Sequence, residues 1–127
     1  MNSPSLLVVD DEMAVRESLK MIFAKDYRLL EADSIDAAIP KVLQERPHVV
    51  LLDILMPKTD GLEALKQIKA IHPGCEVIML SGLNSQQLAT KAMEFGAFDF
   101  IGKPFDVTTL RQKVNHALQA VTQRTQP

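Results

Sequence analysis

The sequence predicts a single α/β domain in which helices cover both faces of a five-stranded parallel sheet. Short apolar runs typical of strands alternate five times with segments of helical period, and the connections between them are short. Strands joined in this way run parallel, with right-handed crossovers. A length of 127 residues, 46% of them hydrophobic and 24% charged, suits one ordinary globular domain and leaves no room for a second.

Five segments are predicted to be strands. Four are continuous or nearly continuous apolar runs, which suit strands that are buried on both faces of a sheet. The weaker segment 27–32 carries Arg28 and Glu31, as expected of a strand at the edge of a sheet. The apolar runs are residues 6–9, 49–52, 77–80 and 98–101.

Helical periodicity is visible in four of the five remaining segments. The last helix is the clearest, because its apolar residues form one stripe and Asp106 is placed as its N-cap. The second helix, within residues 34–44, contains Pro40, which lacks a backbone donor, so we expect irregularity there unless the helix begins late. The apolar stripes are Val15, Leu19, Ile22 and Phe23; Leu62, Leu65 and Ile68; Leu88, Ala92 and Phe95; and Val107, Leu110, Val114, Leu118 and Val121.

Stop signals and composition set the expected limits of the domain. Pro73-Gly74 and Gly96 are placed to end the third and fourth helices. Residues 1–121 are expected to form the domain. Residues 122–127 are polar and without an apolar stripe, so they are expected to be either a frayed terminus or the start of a linker.

Charge and cysteine content exclude several classes of protein. Fourteen basic and sixteen acidic residues give a net charge of −2 without a basic stripe, so direct binding to nucleic acid is not expected. The first residues lack a basic region, and their apolar run is too short for a signal peptide or a membrane span. The single Cys75 cannot form an internal disulfide. We therefore expect a cytoplasmic protein that does not bind membranes.

Chemically active side chains follow four of the predicted strands. In such sheets, ligands bind outside the carboxyl ends of the strands. Each residue alone has an ordinary interpretation as a helix cap, a turn residue or a solvated charge. An acid that ends a buried strand must, however, be solvated, paired or bound to metal, and together the residues predict a site at one edge of the sheet. They are Asp10-Asp11-Glu12, Asp53, Ser81-Gly82 and Gly102-Lys103-Pro104.

The acidic residues of this edge need a cation. Two carboxylates about 4 Å apart repel by roughly 4 kcal/mol at an effective dielectric constant near 20, and Lys103 offsets only part of this. Hard carboxylate oxygens favour Mg²⁺. Zinc is a poor fit because the three histidines lie away from the strand ends, where we expect them at the surface. These histidines are His48, His72 and His116.

An aspartate beside Mg²⁺ and a lysine is suited to attack phosphorus, because the cations neutralise charge during in-line transfer. Asp53 is the predicted nucleophile, and Asp10 and Asp11 are predicted to hold the metal. Ser81 and the backbone N–H of Gly82, where a side chain would crowd the ligand, are expected to donate to phosphoryl oxygens.

These residues resemble the receiver domain of bacterial two-component response regulators, over nearly the whole chain. The resemblance implies a flavodoxin-like sheet of order 2-1-3-4-5, for which a member of this family is a standard example. A looser likeness, in residues 94–105, is to receivers of activators that work with sigma factor 54. The matching segments are Asp10-Asp11, residues 53–61, Ser81-Gly82 and residues 100–105.

The resemblance implies that Asp53 takes a phosphoryl group from a sensor histidine kinase, a phosphotransfer protein or a small phosphodonor. The domain itself catalyses this Mg²⁺-dependent step and slow dephosphorylation, without turning over an external substrate. Mg²⁺, with Mn²⁺ as a substitute, is implied to bind Asp11, Asp53 and the Leu55 carbonyl, with Asp10 mostly through water. Lys103 and Ser81 are implied to contact the phosphoryl group.

The resemblance also implies a two-state switch. Phosphorylation draws Ser81 inward and lets Phe100 turn into the vacated space. This remodels the face of the fourth helix, fifth strand and fifth helix, which controls an output domain or target protein and can form a homodimer. The family pattern implies a cis Lys103-Pro104 bond, although trans is the usual state of X-Pro bonds.

Several positions of the motif carry smaller expectations. Pro57 is expected to fix φ, and Gly61 to permit a turn, in the loop before the third helix. Ser81 replaces the commoner threonine, and Phe100 lacks a tyrosine hydroxyl. Leu55 and Leu83, each two residues after a site residue, provide no group to position water, so a long-lived acyl phosphate is expected.

Three alternatives share the fold or the residues. A flavin or nucleotide binder needs a phosphate-cradling turn after the first strand, where this chain has three acids. A hydrolase with an aspartyl nucleophile is expected to carry a cap insertion and a second acid beside Asp53, and neither is seen. A degenerate receiver that only binds partners is expected to lack some of the site residues, and all are present.

Overall fold

A computed structural model describes residues 3–82 and 85–125 of the chain, apart from the side chain of residue 125. Five strands alternate with five helices, as the sequence predicts. The strands are β1 (Ser5–Val9), β2 (Arg28–Ala32), β3 (Val49–Asp53), β4 (Glu76–Ser81) and β5 (Asp99–Gly102). The helices are α1 (Met13–Phe23), α2 (Ile35–Glu45), α3 (Gly61–Ile71), α4 (Gln86–Glu94) and α5 (Val107–Thr125).

All five strands are parallel, in the order β2-β1-β3-β4-β5 that the family resemblance implies. The chain moves outward from β1 to β2 on one side and from β3 to β5 on the other. The strand order therefore reverses between the neighbours β1 and β3, and this is the point where such sheets bind ligands. Asp53, the last residue of β3, lies at this point.

The sheet separates two apolar cores. One face of the sheet packs against α1 and α5, through residues such as Leu19, Phe23, Leu110 and Val114. The other face packs against α2, α3 and α4. Strands β1, β3 and β4 are buried along their whole length, which explains why they appear in the sequence as continuous apolar runs.

Only Ala92 of the predicted apolar stripe of α4 is buried. The other two residues, Leu88 and Phe95, are 38% and 39% exposed, and Ala89 is fully buried against the sheet instead. Small alanine side chains allow the helix to lie close to its neighbours, which leaves the larger apolar residues at the surface. The Phe95 ring lies 4.4 Å from the ammonium of Lys66, and this contact with α3 partly compensates for its exposure.

Helix α2 is continuous through Pro40 and does not begin late. Ser34 caps it, since its hydroxyl accepts the N–H of Ala37 at 3.1 Å. Pro40 removes the donor for the carbonyl of Asp36, and both of these residues are exposed. Water can therefore bind the freed carbonyl, and the proline does not interrupt the helix.

Helix α5 extends past the expected limit of the domain. It continues to Thr125, so residue 121 lies inside the helix rather than at a boundary. Arg124 pairs with the buried Glu76 at 2.8 Å and donates to the Gly74 carbonyl at 3.0 Å. These bonds tie the end of α5 to the start of β4. At its other end, Val107 is exposed, although Asp106 does cap the helix by accepting the Thr109 N–H.

A lysine of a neighbouring helix binds an outward-facing carbonyl of each edge strand. At β2, Lys41 of α2 donates to the carbonyl of Glu31. On β5, Lys113 donates to the carbonyl of Phe100 at 2.9 Å, and the N–H of Phe100 binds the carboxylate of Asp99 at 2.8 Å. Lys113 and Asp99 also pair with each other, at 3.3 Å. The backbone groups of Phe100 that face away from β4 are thus already occupied.

None of the described helices combines the length and the apolar character that a membrane span needs.

Gly61 begins α3, and close packing, rather than an unusual backbone angle, requires a glycine at this position. Its φ does not lie in the left-handed region, in contrast to that of Gly96, whose φ is +104°. A Cβ atom at position 61 would lie only 2.4 Å from the carbonyl oxygen of Ile54. Gly61 therefore serves the loop before α3 by allowing the close approach of the Ile54 backbone, and not by adopting a left-handed φ.

We expect Gly61→Ala to lower the free energy of unfolding by about 1–3 kcal/mol, because overpacking outweighs the roughly 1 kcal/mol that alanine gains in a helix. The exposed Ala70 of the same helix provides a control, since Ala70→Gly changes helix propensity alone. Urea denaturation of both variants measures the effect. A Gly61→Ala protein more stable than the wild type would contradict the packing argument.

Cys75 is fully buried, and burial raises the pKa of its thiol from 9.0 to about 11. The folded protein should therefore react with a disulfide reagent at pH 8 about a hundredfold more slowly than the urea-unfolded chain. The thiol of the unfolded chain ionises at a lower pH than that of the folded protein. The free energy of unfolding should therefore fall as the pH rises from about 9 to about 11. Equal labelling rates in the two states would contradict this assignment.

Candidate functional site

Three carboxylates meet at the carboxyl ends of β1 and β3. Asp10 and Asp53 are buried and Asp11 is exposed, and each offers an oxygen within 4.8 Å of the others. Within the described part of the chain, this is the one group of acids, histidines and cysteines close enough to hold a metal ion. The predicted convergence of Asp10, Asp11 and Asp53 on one edge of the sheet is therefore confirmed as geometry.

Lys103 joins the acids of the two strands. Its ammonium lies 2.8 Å from Oδ2 of Asp10 and 3.3 Å from Oδ2 of Asp53. It also lies 3.6 Å from Oε1 of Glu12, which was among the residues expected at this edge. The Lys103-Pro104 peptide bond is cis, as the family resemblance implies.

Asp10 and Asp53 have the same local arrangement. Oδ1 of Asp10 accepts the N–H of Glu12 at 2.9 Å, and Oδ1 of Asp53 accepts the N–H of Leu55 at 3.1 Å. Each aspartate thus closes an Asx-type turn directly after its strand. The turn fixes one carboxylate oxygen, and the second oxygen in each case faces Lys103.

The pKa values report the balance of charge in the site. Burial raises the pKa of Asp53; the Leu55 N–H opposes this, Asp10 raises it further, and Lys103 lowers it. Burial alone would lower the pKa of Lys103, but Asp10 and Asp53 outweigh burial and raise it. The lysine is therefore held in its charged form, while Asp53 is a carboxylate in an unfavourable environment.

Ser81 ends β4 beside this cluster. Its hydroxyl oxygen is buried and has no hydrogen-bond partner among the described residues. The Ser81 carbonyl accepts the N–H of Lys103 at 2.7 Å, so its backbone is joined directly to the lysine of the site. A buried hydroxyl without a partner is costly, and a ligand oxygen would satisfy it.

The remaining predicted positions surround the cluster. A Cβ atom at Gly82 would meet no described atom within 4 Å, so the protein itself does not require glycine there. Leu55 and Pro57 are exposed beside Asp53, whereas Leu83 lies outside the described residues. The half-buried Phe100 packs against the core beneath α2, α3 and α4.

The histidines lie elsewhere, as predicted, but two of them are not surface residues. His48 is half-buried, and its Nδ1 accepts the N–H of Ser5 at 3.1 Å at the amino ends of the strands. Nε2 of His72 donates to the Pro47 carbonyl at 2.7 Å. His116 is exposed, as expected. The rings of His48 and His72 are half-buried because they bond to backbone groups of the loops at the amino ends of the strands.

The family model of the response regulator receiver domain matches residues 6–115. The chain belongs to this family. It is 40% identical over 114 residues to the chemotaxis protein CheY of Listeria monocytogenes, covering 88% of this chain and 96% of that protein. It is 34% identical over 119 residues to sporulation initiation phosphotransferase F of Bacillus subtilis, covering 93% and 96% of the two chains.

Solved structures agree with the family assignment. The receiver domain of NtrX from Brucella abortus superposes with a TM-score of 0.86 at 35% identity, covering 91% of this chain and 98% of that one. Receiver domains act in two-component phosphorelay signalling, with histidine kinases and output domains as their partners. They are regulatory domains rather than enzymes that turn over an external substrate.

One charged residue beside the site of this receiver was not found by the sequence analysis. Arg16 of α1 donates to the backbone carbonyl of Asp10 at 2.8 Å. Every residue has a backbone carbonyl, so the partner of Arg16 could not be inferred from residue types in a single sequence. The spacing of Arg16 on the polar side of an amphipathic helix suggests only a solvated charge, yet its side chain is 12% exposed.

The charge balance of the site generates a test on Asp11, which forms no ion pair within the described ranges. Asp11→Asn removes one of the three carboxylates that lie together at this edge of the sheet. We expect the metal-free variant to be as stable as the wild type or up to about 1 kcal/mol more stable, since Asp11 is solvated. Its thermal midpoint should rise much less on addition of Mg²⁺.

Calorimetry with and without Mg²⁺ provides the measurement, and Asp26→Asn, an exposed acid far from the site, is the matched control. An undiminished Mg²⁺ effect in Asp11→Asn would show that Asp11 does not contribute to metal binding.

Proposed function

We propose that this receiver is phosphorylated on Asp53 and that its own residues catalyse the transfer. The observation that carries the proposal is the position of Asp53: a buried carboxylate at the sheet's switch point, 3.3 Å from the Lys103 ammonium and beside two further acids. An activated phosphorus compound in this position meets a nucleophile, a fixed cation and a metal-binding group of acids.

In the proposed step, an oxygen of Asp53 forms a bond to phosphorus. The P–N bond of a phosphohistidine, or the P–O bond of a small acyl phosphate, breaks, and its electron pair leaves with the donor. Lys103 already faces Oδ2 of Asp53, so its charge is available to the phosphoryl oxygens without movement of the backbone. The partnerless hydroxyl of Ser81 and the N–H of Gly82 donate to the same oxygens.

The donor set of the site fits Mg²⁺. Carboxylate oxygens of Asp10, Asp11 and Asp53 together with the Leu55 carbonyl are hard ligands, and Mg²⁺ prefers such oxygens along with water and phosphate. When bound, the ion supplies positive charge to the phosphoryl oxygens. Mn²⁺ shares this preference for oxygen and is expected to replace it.

The partners follow from the phosphoryl donor and from the surface. A sensor histidine kinase or phosphotransfer protein delivers the group in the cytoplasm, and Ser81 and Phe100 convey the change to the face of α4, β5 and α5. Helix α4 exposes the apolar residues Leu88 and Met93, and such residues suit contact with an output domain, a target protein or a second copy of the chain. Nucleic acid is not a direct partner, given the net charge of −2.

Intact mass spectrometry after incubation with acetyl phosphate and Mg²⁺ tests the proposal. We expect one phosphoryl group on the wild type and none on Asp53→Asn or on the wild type with a chelator. Lys103→Met should also take up no phosphoryl group, because an uncharged side chain of similar size cannot replace a lysine that pairs with two buried acids.

Two controls make a negative result interpretable. Asp53→Asn removes a carboxylate whose pKa burial raises, so the variant should be folded and at least as stable as the wild type, which calorimetry checks. Binding of beryllofluoride distinguishes a receiver whose acyl phosphate is short-lived from one that does not react. A wild-type protein that takes up neither the phosphoryl group nor beryllofluoride would refute the proposal.

The same sample gives the lifetime of the phosphoryl group. Leu55 is 51% exposed beside Asp53 and has no polar atom to orient an attacking water. We propose that the acyl phosphate therefore persists well beyond seconds, and loss of the label within seconds would contradict this.

A further inference from the structure

Arg16 of α1 contacts the acidic site through the backbone of Asp10 and touches none of the site's carboxylates. Its guanidinium makes two bonds in different directions: Nη1 donates to the backbone carbonyl of Asp10 at 2.8 Å, and Nε pairs with Oε1 of Glu31 at 2.8 Å. The side chain of Arg16 is 12% exposed, whereas that of its partner Glu31 is 33% exposed. Arg16 thus connects α1 to the end of β1 and to β2.

The carbonyl of Asp10 needs this donor because the sheet ends beside it. The N–H of Asp10 still pairs with the carbonyl of Ala32, the last residue of β2. No backbone N–H in the described ranges then binds the Asp10 carbonyl, since the chain turns away into α2 at Ser34. Arg16 replaces the missing strand donor with a charge-assisted bond, which is stronger than the amide bond it replaces.

Glu31 holds the guanidinium in place. It pairs with both Lys20 and Arg16, and these two cations lower the pKa of its carboxyl, with Lys20 contributing most. Glu31 is therefore fully charged at neutral pH. The planar guanidinium can satisfy a carboxylate and a carbonyl at once, which a lysine ammonium on a flexible chain does less well.

We propose that Arg16 is a positioning residue for the metal site: by fixing the Asp10 carbonyl, it orients the β1–α1 turn that presents Asp10 and Asp11. The inference rests on the proposed function, because it assigns Arg16 a role in binding the ion those acids hold. Partners that orient metal ligands from behind typically change affinity by 10–100-fold when they are removed.

Two readouts separate positioning from a merely structural role. A structural defect lowers the thermal midpoint and the amount of active protein at every Mg²⁺ concentration. A positioning defect raises the Mg²⁺ concentration that gives half of the maximal phosphorylation rate, while saturating Mg²⁺ restores most of the rate. The dissociation constant for Mg²⁺, from shifts of the backbone amide resonances of Asp11 and Glu12, gives the same information without phosphorylation.

The experiment compares the wild type with Arg16→Met, Arg16→Lys and the control Arg28→Met. Arg28 forms a pair with Glu45 at 2.7 Å at the surface, on the same edge of the sheet, and lies away from the acidic site. We expect the Mg²⁺ dissociation constant to rise about tenfold in Arg16→Met, less in Arg16→Lys, which keeps one donor, and not at all in Arg28→Met.

The half-saturating Mg²⁺ for reaction with acetyl phosphate should shift by the same factors, with the maximal rate within about threefold of the wild type. An Arg16→Met protein that is folded and binds Mg²⁺ like the wild type would overturn the inference and leave the proposed function intact. A wild-type protein that neither binds Mg²⁺ nor takes up a phosphoryl group would refute both.

Discussion

The contact of the Lys103 ammonium with two buried aspartates is the constraint on which the rest of the site depends. Strand β5 lies at the edge of the sheet, two strands away from β3 and three from β1, yet its lysine reaches acids at the ends of both. Burying Asp10 and Asp53 side by side is tolerable only with a cation between them. The turn after each strand, the cis Lys103-Pro104 bond and the bond from Lys103 to Ser81 all fix this one arrangement.

The sequence predicted most of the fold because buried parallel strands are continuous apolar runs, and all five were found to within about one residue. It predicted the convergence of Asp10, Asp53 and Lys103 because parallel strands bring their carboxyl ends to one edge. The sequence did not predict features that depend on contacts with residues distant in the chain. The rotation of α4 that buries Ala89 rather than Leu88, and the contact that excludes a Cβ at Gly61, depend on packing that no periodicity records.

The sequence also did not predict the hydrogen bonds that side chains make to the backbone. Arg16 bonds to the carbonyl of Asp10, and Pro40 is tolerated on a side of α2 where both Asp36 and Pro40 are exposed. A single sequence identifies side chains but not the main-chain groups that they satisfy. The same limit applies to Ser81, whose identity as a hydroxyl was evident, whereas its lack of any partner in the described chain became visible only in the structure.

Some outward-facing backbone groups of the two edge strands already have hydrogen-bond partners, and this affects how two copies of this receiver can associate. Lys113 and Asp99 occupy both outward backbone groups of Phe100, and Lys41 occupies the outward carbonyl of Glu31. A β-strand from a second molecule would have to break these bonds before it could extend the sheet. At these positions an intermolecular β-ladder therefore competes with bonds that already exist, whereas contacts between helix side chains can form and dissolve without breaking any bond of the sheet.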